Sequence, residues 1–161
     1  VDLSTQLNDL IPLVNAIGND GYDVAIGSRL MKGSLVEGRT GSREFTSRTY
    51  NLIIRASFFV SFKDAQCGFK ALSRRGADLL LPLIKDTGWF FDTELLILAE
   101  KNGFPLKEIP VRWHDDPDTR VKVVSTAMHD LMGLARLKFG GLKRAARALE
   151  AAGSNEAPNR P

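Results

Sequence analysis

The stretch Lys63-Asp64-Ala65-Gln66-Cys67-Gly68-Phe69-Lys70-Ala71 crowds an acid, an amide, the sole cysteine, a glycine, an aromatic ring and two lysines together. Asp64 and Gln66 can orient hydroxyls or balance charge. Gly68 permits a bulge or a close backbone approach to a ligand. The competing reading is a strand with one exposed face and solvated lysines. Cys67 reads as a small packing residue, because no histidine is placed to activate it as a nucleophile.

Arginines supply a second chemistry. Gly27-Ser28-Arg29 ends a buried apolar run. Ligand crevices of open α/β sheets lie beyond the carboxyl ends of strands, and an arginine there can grip phosphate with two donors. The same residue also reads as a surface arginine at a strand exit. Arg43 and Ser47 are four apart, hence on one face near a helix start. Free backbone N–H groups and the dipole favour anions there. Arg39 and Arg48 add charge, and a solvated basic face is the plainer alternative. Asp2 precedes a helix, a common place for a metal or ribose ligand; alone it reads as a frayed terminal acid. Asp92 reads as an N-cap, and Glu94 suits the first turn of the same helix. Arg120 and Lys122 lie on the polar loop "DDPDTRVK", which either closes over a phosphate or is only charged.

These residues need elements to hold them. The chain has 161 residues, 43% hydrophobic and 25% charged, with net charge +3. That suits one domain able to bury a core. The apolar runs "NLII" and "LLLPLI" are too short for a membrane span. One cysteine excludes an internal disulfide framework and fits a reducing compartment. His114 and His129 lack metal-motif spacing. Residue 1 is Val, so the chain is expected to be processed or to be a piece of a longer one.

Periodicity predicts a helix over 6–18, with Leu7, Leu10, Ile11, Val14 and Ile17 on one face and Ser4 or Thr5 as cap. "YDVAIGSRL" reads as a buried strand and "MKGSLVEGRTG" as a glycine-rich loop. A helix is expected from Ser42 to about Ser61, with Phe45, Thr49, Leu52, Ala56 and Phe59 along its apolar face. "AQCGFKALS" is strand-like, helices follow near 74–84 and 92–102, and "LKEIPVRWH" reads as a strand with Pro110 marking an edge or bulge. A long amphipathic helix starts near Val123, breaks at Gly140-Gly141 and resumes to about Ala151. Residues 153–161 read as a disordered tail. Alternating strands and helices give the α/β class, with about three strands, a thin sheet for so many helices.

The order of "VDLST", "DVAIGSR", the Arg43/Ser47 helix, "DAQCGFKALSR", "WFFDTELLILA" and "EIPVRWHD" resembles the C-terminal part of family 2 glycosyltransferases acting on polyprenyl phosphates. Dolichyl-phosphate glucosyltransferases and mannosyltransferases are the types it resembles, over about residues 1–135. The resemblance implies a partial GT-A, Rossmann-like α/β fold. Residues 1–122 would form its acceptor-side part, followed by a basic amphipathic helical segment at 123–152. The nucleotide-binding half would be missing and the fragment alone inactive. The implied activity is inverting transfer of a hexose from UDP-glucose or GDP-mannose to a polyprenyl phosphate.

By the same resemblance, Arg29, Arg43 and Ser47 would hold the acceptor phosphate. Asp64 and Gln66 would lie near the transferred sugar, with Arg43 at the reacting centre. Arg120 and Lys122 would lie near the donor diphosphate, and Asp2 would be the second acid of an Asp-x-Asp motif holding Mg or Mn. A lipid acceptor implies peripheral contact at the cytoplasmic face of a membrane. Lys143, Arg144 and Arg147 on the last helix suit such contact, or else are a solvated face of a packed helix. The rival class is a non-catalytic basic module for anionic membrane or nucleic acid. Against nucleic acid, the basic segments lack interleaved aromatics.

Overall fold

A computed structural model describes residues 4–115 and 123–156. The first α-helix, α1 (Leu10–Gly18), follows a single 3-10 turn at Leu7–Asp9. Strand β1 (Val24–Ser28) is buried along its whole length. Strand β3 (Lys70–Leu72) pairs with it antiparallel, and β4 (Leu106–Pro110) pairs with it parallel, in the order β3-β1-β4. A second, two-stranded parallel sheet joins β2 (Leu35–Glu37) to β5 (Arg112–His114). The remaining helices are α2 (Gly41–Phe58), α3 (Arg74–Leu80), α4 (Phe91–Lys101), α5 (Val123–Arg136) and α6 (Leu142–Glu156). The class is α/β with a mixed sheet, compatible with a partial Rossmann-like fold. No described helix is long and apolar enough to cross a membrane.

Side chains alternate across β1, as strand geometry requires. Val24 and Ile26 join the larger core, with Ile54 and Phe58 of α2 and Leu95–Ala99 of α4. Ala25 faces the other way, into a small cluster with Leu13 and Ala16 of α1 and Ile109 of β4. The sheet is thus covered on both faces. Helix α4 is the central element of the larger side, buried from Thr93 through Ala99. Helix α5 comes close to the residue just before α4 at Gly133, where an added Cβ would sit 2.5 Å from the Phe90 ring.

Several expectations are corrected. Ser4 and Thr5 do not cap the first helix. Their backbone pairs with the end of β5 instead, through a Thr5–Trp113 bridge and a bond from the His114 amide to the Ser4 carbonyl. The apolar face expected to bury α2 is exposed: Phe45 is 73% and Leu52 64% accessible, while Asn51, Ile54 and Phe58 point inward. On α1, Leu13 and Ala16 are buried, whereas Leu10, Ile11 and Val14, and Leu7 in the turn before it, are exposed. Both helices carry two apolar stripes, and periodicity does not say which one the sheet receives. In α2 the choice falls on the stripe that also satisfies a buried asparagine.

The expected loop "MKGSLVEGRTG" contains β2, and the described strands number five. "LKEIPVRWH" is not one strand. It leaves the first sheet at Pro110, which has no N–H to donate, passes the buried Val111 and enters the second sheet as β5. The strand expected over "AQCGFKALS" shrinks to Lys70–Leu72. The break at Gly140-Gly141 is present, as a wide turn at Leu137–Gly141 between α5 and α6. Helix α6 then runs to Glu156, into the segment expected to be unstructured.

Candidate active site

The irregular segment before β3 is fastened residue by residue. Asp64 is fully buried and receives three bonds from Arg29 at the end of β1. The Arg29 amide and Nε donate to Oδ2 at 2.9 and 2.8 Å, and Nη2 donates to Oδ1 at 2.8 Å. Burial opposes ionisation of Asp64, but the hydrogen bonds and charge of Arg29 outweigh it and hold the carboxyl below its usual range. Burial likewise works against the Arg29 charge, and Asp64 overrides it, raising the guanidinium pKa. Arg29 also lies 5.0 Å over the Trp113 ring, a cation–π contact.

The next residue is held from α2. The Ala65 amide donates to Asn51 Oδ1 at 2.8 Å, and Asn51 Nδ2 donates to the Ser47 carbonyl at 2.9 Å. Gln66 Nε2 donates to Asp130 Oδ2 of α5 at 3.0 Å. Asp130 is buried, and that burial raises its pKa. Cys67 is buried too, which pushes its thiol up to about 11 and leaves it protonated near neutrality. An added Cβ on Gly68 would meet nothing within 4 Å, so the fold itself does not demand glycine there. Lys70 then closes the segment, with its ammonium 2.9 Å from Asp92 at the start of α4 and donating also to the Cys67 carbonyl.

Of the residues singled out from sequence, Arg29, Asp64 and Gln66 come together. The turn of α2 that holds Ser47 joins them through Asn51. Arg43 and Ser47 are half-buried, one turn apart on α2. The Arg43 amide donates to the Thr40 side chain at 3.4 Å, so Thr40 caps this helix. Asp92 is not the cap of α4, which has no side-chain cap; it pairs with Lys70. Glu94 does more than suit a dipole. Buried, it accepts the Lys85 and Asp86 amides and pairs with Arg136 at 2.7 Å. Asp2, Arg120 and Lys122 lie outside the described residues.

Asn51, Asp130 and Trp113 were not anticipated as parts of the site. Asn51 was within reach, because it extends the four-residue spacing of Arg43 and Ser47 by one turn. Asp130 had no such signal. Arg39, read only as added charge, has a nearly buried side chain lying 3.1 Å from Glu44 and 3.5 Å from Asp115. Among the described residues no group of three or more His, Cys, Asp or Glu could hold a metal ion.

No protein-family model matches the chain. Curated relatives do. It is 38% identical over 133 residues to glycosyltransferase AglD of Haloferax volcanii, across 83% of this chain and 20% of that protein. To dolichyl-phosphate beta-glucosyltransferase ALG5C of Trichomonas vaginalis it is 30% identical, across 76% of this chain and 36% of the relative. To the dolichyl-phosphate beta-glucosyltransferase of Saccharomyces cerevisiae it is 35% identical, across 57% of this chain and 28% of the relative. The chain therefore spans well under half the length of each of these proteins.

Proposed function

We propose, for a chain whose homologues over most of its length are family 2 glycosyltransferases, that it forms the acceptor side of such an enzyme. The reaction is transfer of a hexose from a nucleotide sugar to a polyprenyl phosphate of the dolichyl type. The observation that carries this reading is the fastening of Asp64-Ala65-Gln66 to Arg29, to the Ser47 turn of α2 and to Asp130. So many bonds spent on three residues of irregular backbone fit a preorganised polar site.

In this reading the acceptor phosphate oxygen attacks the anomeric carbon, and the nucleoside diphosphate leaves from the opposite face with inversion. The phosphate is already anionic at neutral pH, so no strong base is needed. Arg43 and Ser47 hold it, and Arg29 contributes positive charge. Both oxygens of Asp64 are already engaged by Arg29. Asp64 therefore fixes and partly neutralises that guanidinium rather than abstracting a proton. The Gln66 amide nitrogen is committed to Asp130, which leaves its oxygen to accept from a sugar hydroxyl. Arg120 and Lys122 beside the donor diphosphate complete the proposal, with Asp2 as a ligand of the Mg or Mn ion that would neutralise it. Contact with the cytoplasmic face of a membrane through exposed Lys143, Arg144 and Arg147 belongs to it as well.

The test is radiolabelled sugar transfer from UDP-glucose and GDP-mannose to a polyprenyl phosphate by the complete protein. Transfer is expected from one donor, falling about 10²-fold in Arg43→Ala with nucleotide binding and melting temperature kept. Unchanged turnover in Arg43→Ala would remove the phosphate assignment. No transfer from either donor would remove the reading itself.

A further inference from the structure

Arg39 lies between β2 and α2, and its side chain is only 9% accessible. Its guanidinium sits between two carboxylates. Nη1 is 3.1 Å from Glu44 Oε2 in the first turn of α2, and Nε is 3.5 Å from Asp115 Oδ2 just after β5. Neither nitrogen has an acceptor in hydrogen-bonding geometry. A buried N–H group without an acceptor costs stability, so packing alone would favour an apolar side chain here. What Arg39 supplies is charge, set between two anions where charges interact more strongly than in water. After burial and the Arg29 bonds, that charge is also among the influences on Asp64, helping to hold its carboxyl low.

The two carboxylates lead in opposite directions, to the two arginines assigned above to the acceptor phosphate. Asp115 Oδ1 accepts from Trp113 Nε1 at 2.7 Å, and the Asp115 amide donates to the Glu37 carbonyl at 2.9 Å. The Trp113 ring held in this way supports the face of the Arg29 guanidinium, 5.0 Å away, while Asp64 grips its edge. On the other side, Glu44 is the neighbour of Arg43 on α2, and its second oxygen pairs with Arg48 at 2.5 Å. Arg39 is the link between the strand ends and the helix. Their close approach is built into the backbone. Gly38, just before Arg39, has φ 74°, and an added Cβ there would sit 3.0 Å from the Asp115 carbonyl oxygen.

We propose that Arg39 is a positioning residue for the transfer reaction, fixing Arg29 and Arg43 relative to one another through Asp115 and Glu44. It touches neither phosphate nor sugar. This rests on Arg29 and Arg43 serving one acceptor phosphate, as proposed above. Without the Arg39 charge each arginine keeps its own element, but the gap between them is no longer set, and the phosphate is held less well. The complete protein is assayed for sugar transfer from UDP-glucose and GDP-mannose, with polyprenyl phosphate and donor varied in turn. The variants are Arg39→Met, Arg39→Lys, Asp115→Asn and Arg74→Met.

In Arg39→Met the KM for polyprenyl phosphate is expected to rise about tenfold or more, with the donor KM unaltered. The melting temperature should stay within about 4 °C of wild type, because Asp115 keeps its Trp113 donor and Glu44 keeps Arg48. Arg39→Lys retains the charge and should restore most of the acceptor KM. Asp115→Asn should raise the same constant, and the double change with Arg39→Met should raise it no further than the larger single change. Arg74→Met removes a surface arginine, 90% accessible and paired with Asp78, and should match wild type. An Arg39→Met protein that no longer melts cooperatively is replaced by Arg39→Gln. A merely structural arginine would lower kcat through a smaller active fraction and leave both KM values where they are. That result, no rescue by Arg39→Lys, or additive effects in the double variant would each overturn the proposal while wild-type transfer stands. A wild type that transfers sugar from neither donor removes the acceptor assignment and this proposal together.

Discussion

Asp64 commits both of its oxygens to Arg29, which answers with its amide and two of its five guanidinium N–H groups, and the carboxylate is closed to water. Removing one partner strands a buried charge. Arg29→Met is therefore expected to destabilise the fold by about 3–5 kcal/mol, measured by urea unfolding. The double change Arg29→Met with Asp64→Leu should recover much of that loss, because a buried pair is often replaceable by apolar residues of similar size. The pair also sets an acid limit. The Asp64 carboxyl is held below its ordinary value of 3.8 in the folded state. Its contribution is fully present above that value and is lost as pH falls below it through the folded pKa. Melting temperatures followed below about pH 4 should fall more steeply for the wild type than for the double variant. Equal slopes would mean that the pair is not the source. Arg29 was readable from sequence as a cation at a strand end and Asp64, with Gln66, as a polar group shortly before Gly68. That each is the other's partner was not, because nothing local links residues 35 positions apart.

At the scale of elements, α4 contributes the longest buried run to the larger core, Leu95 through Ala99. Gly133 lets α5 approach the Phe90 ring. Gly133→Ala would drive a methyl group into that ring at 2.5 Å, costing about 1–3 kcal/mol through overpacking despite the better helix propensity of alanine. A variant as stable as wild type would show that the helices can separate freely. Helix α2 offers an internal contrast. Ile54→Ala should cost about 2–5 kcal/mol, whereas Leu52→Ala, two residues earlier on the exposed stripe, should stay within about 0.5 kcal/mol. Chemical denaturation of the two variants decides it, and the reverse ranking would mean that α2 packs on its other side. Helix positions were legible because 3.6-residue spacing survives in the sequence over long runs. Orientation was not, since Phe45, Leu52 and Phe59 make as good a stripe as Asn51, Ile54 and Phe58. The three-residue strand β2 escaped notice for a different reason: too short to alternate, and set among glycines, it forms because β5 runs beside it.

For the whole molecule, order along the chain was the informative property. The α/β class and the kinship with glycosyltransferases were legible because motifs and elements alternate in sequence. The division of "LKEIPVRWH" between two sheets was not, because it depends on where β1 and β2 lie in space. If the chain supplies the acceptor side, its 161 residues alone should show no tight binding of UDP-glucose or GDP-mannose. A calorimetric titration with Mg or Mn present checks this, and a metal-dependent micromolar isotherm would overturn it. The fastening of Asp64-Ala65-Gln66 also has a kinetic consequence. Its bonds to Asn51, Arg29 and Asp130 close loops of 14, 35 and 64 residues respectively. Loop closure must be completed before such contacts repay it, so helices can form early while this segment waits for α5 to dock. During refolding, exchange protection at the Ala65 amide should arise after that of the α4 backbone, and the polar centre would be the last part of the chain to become native.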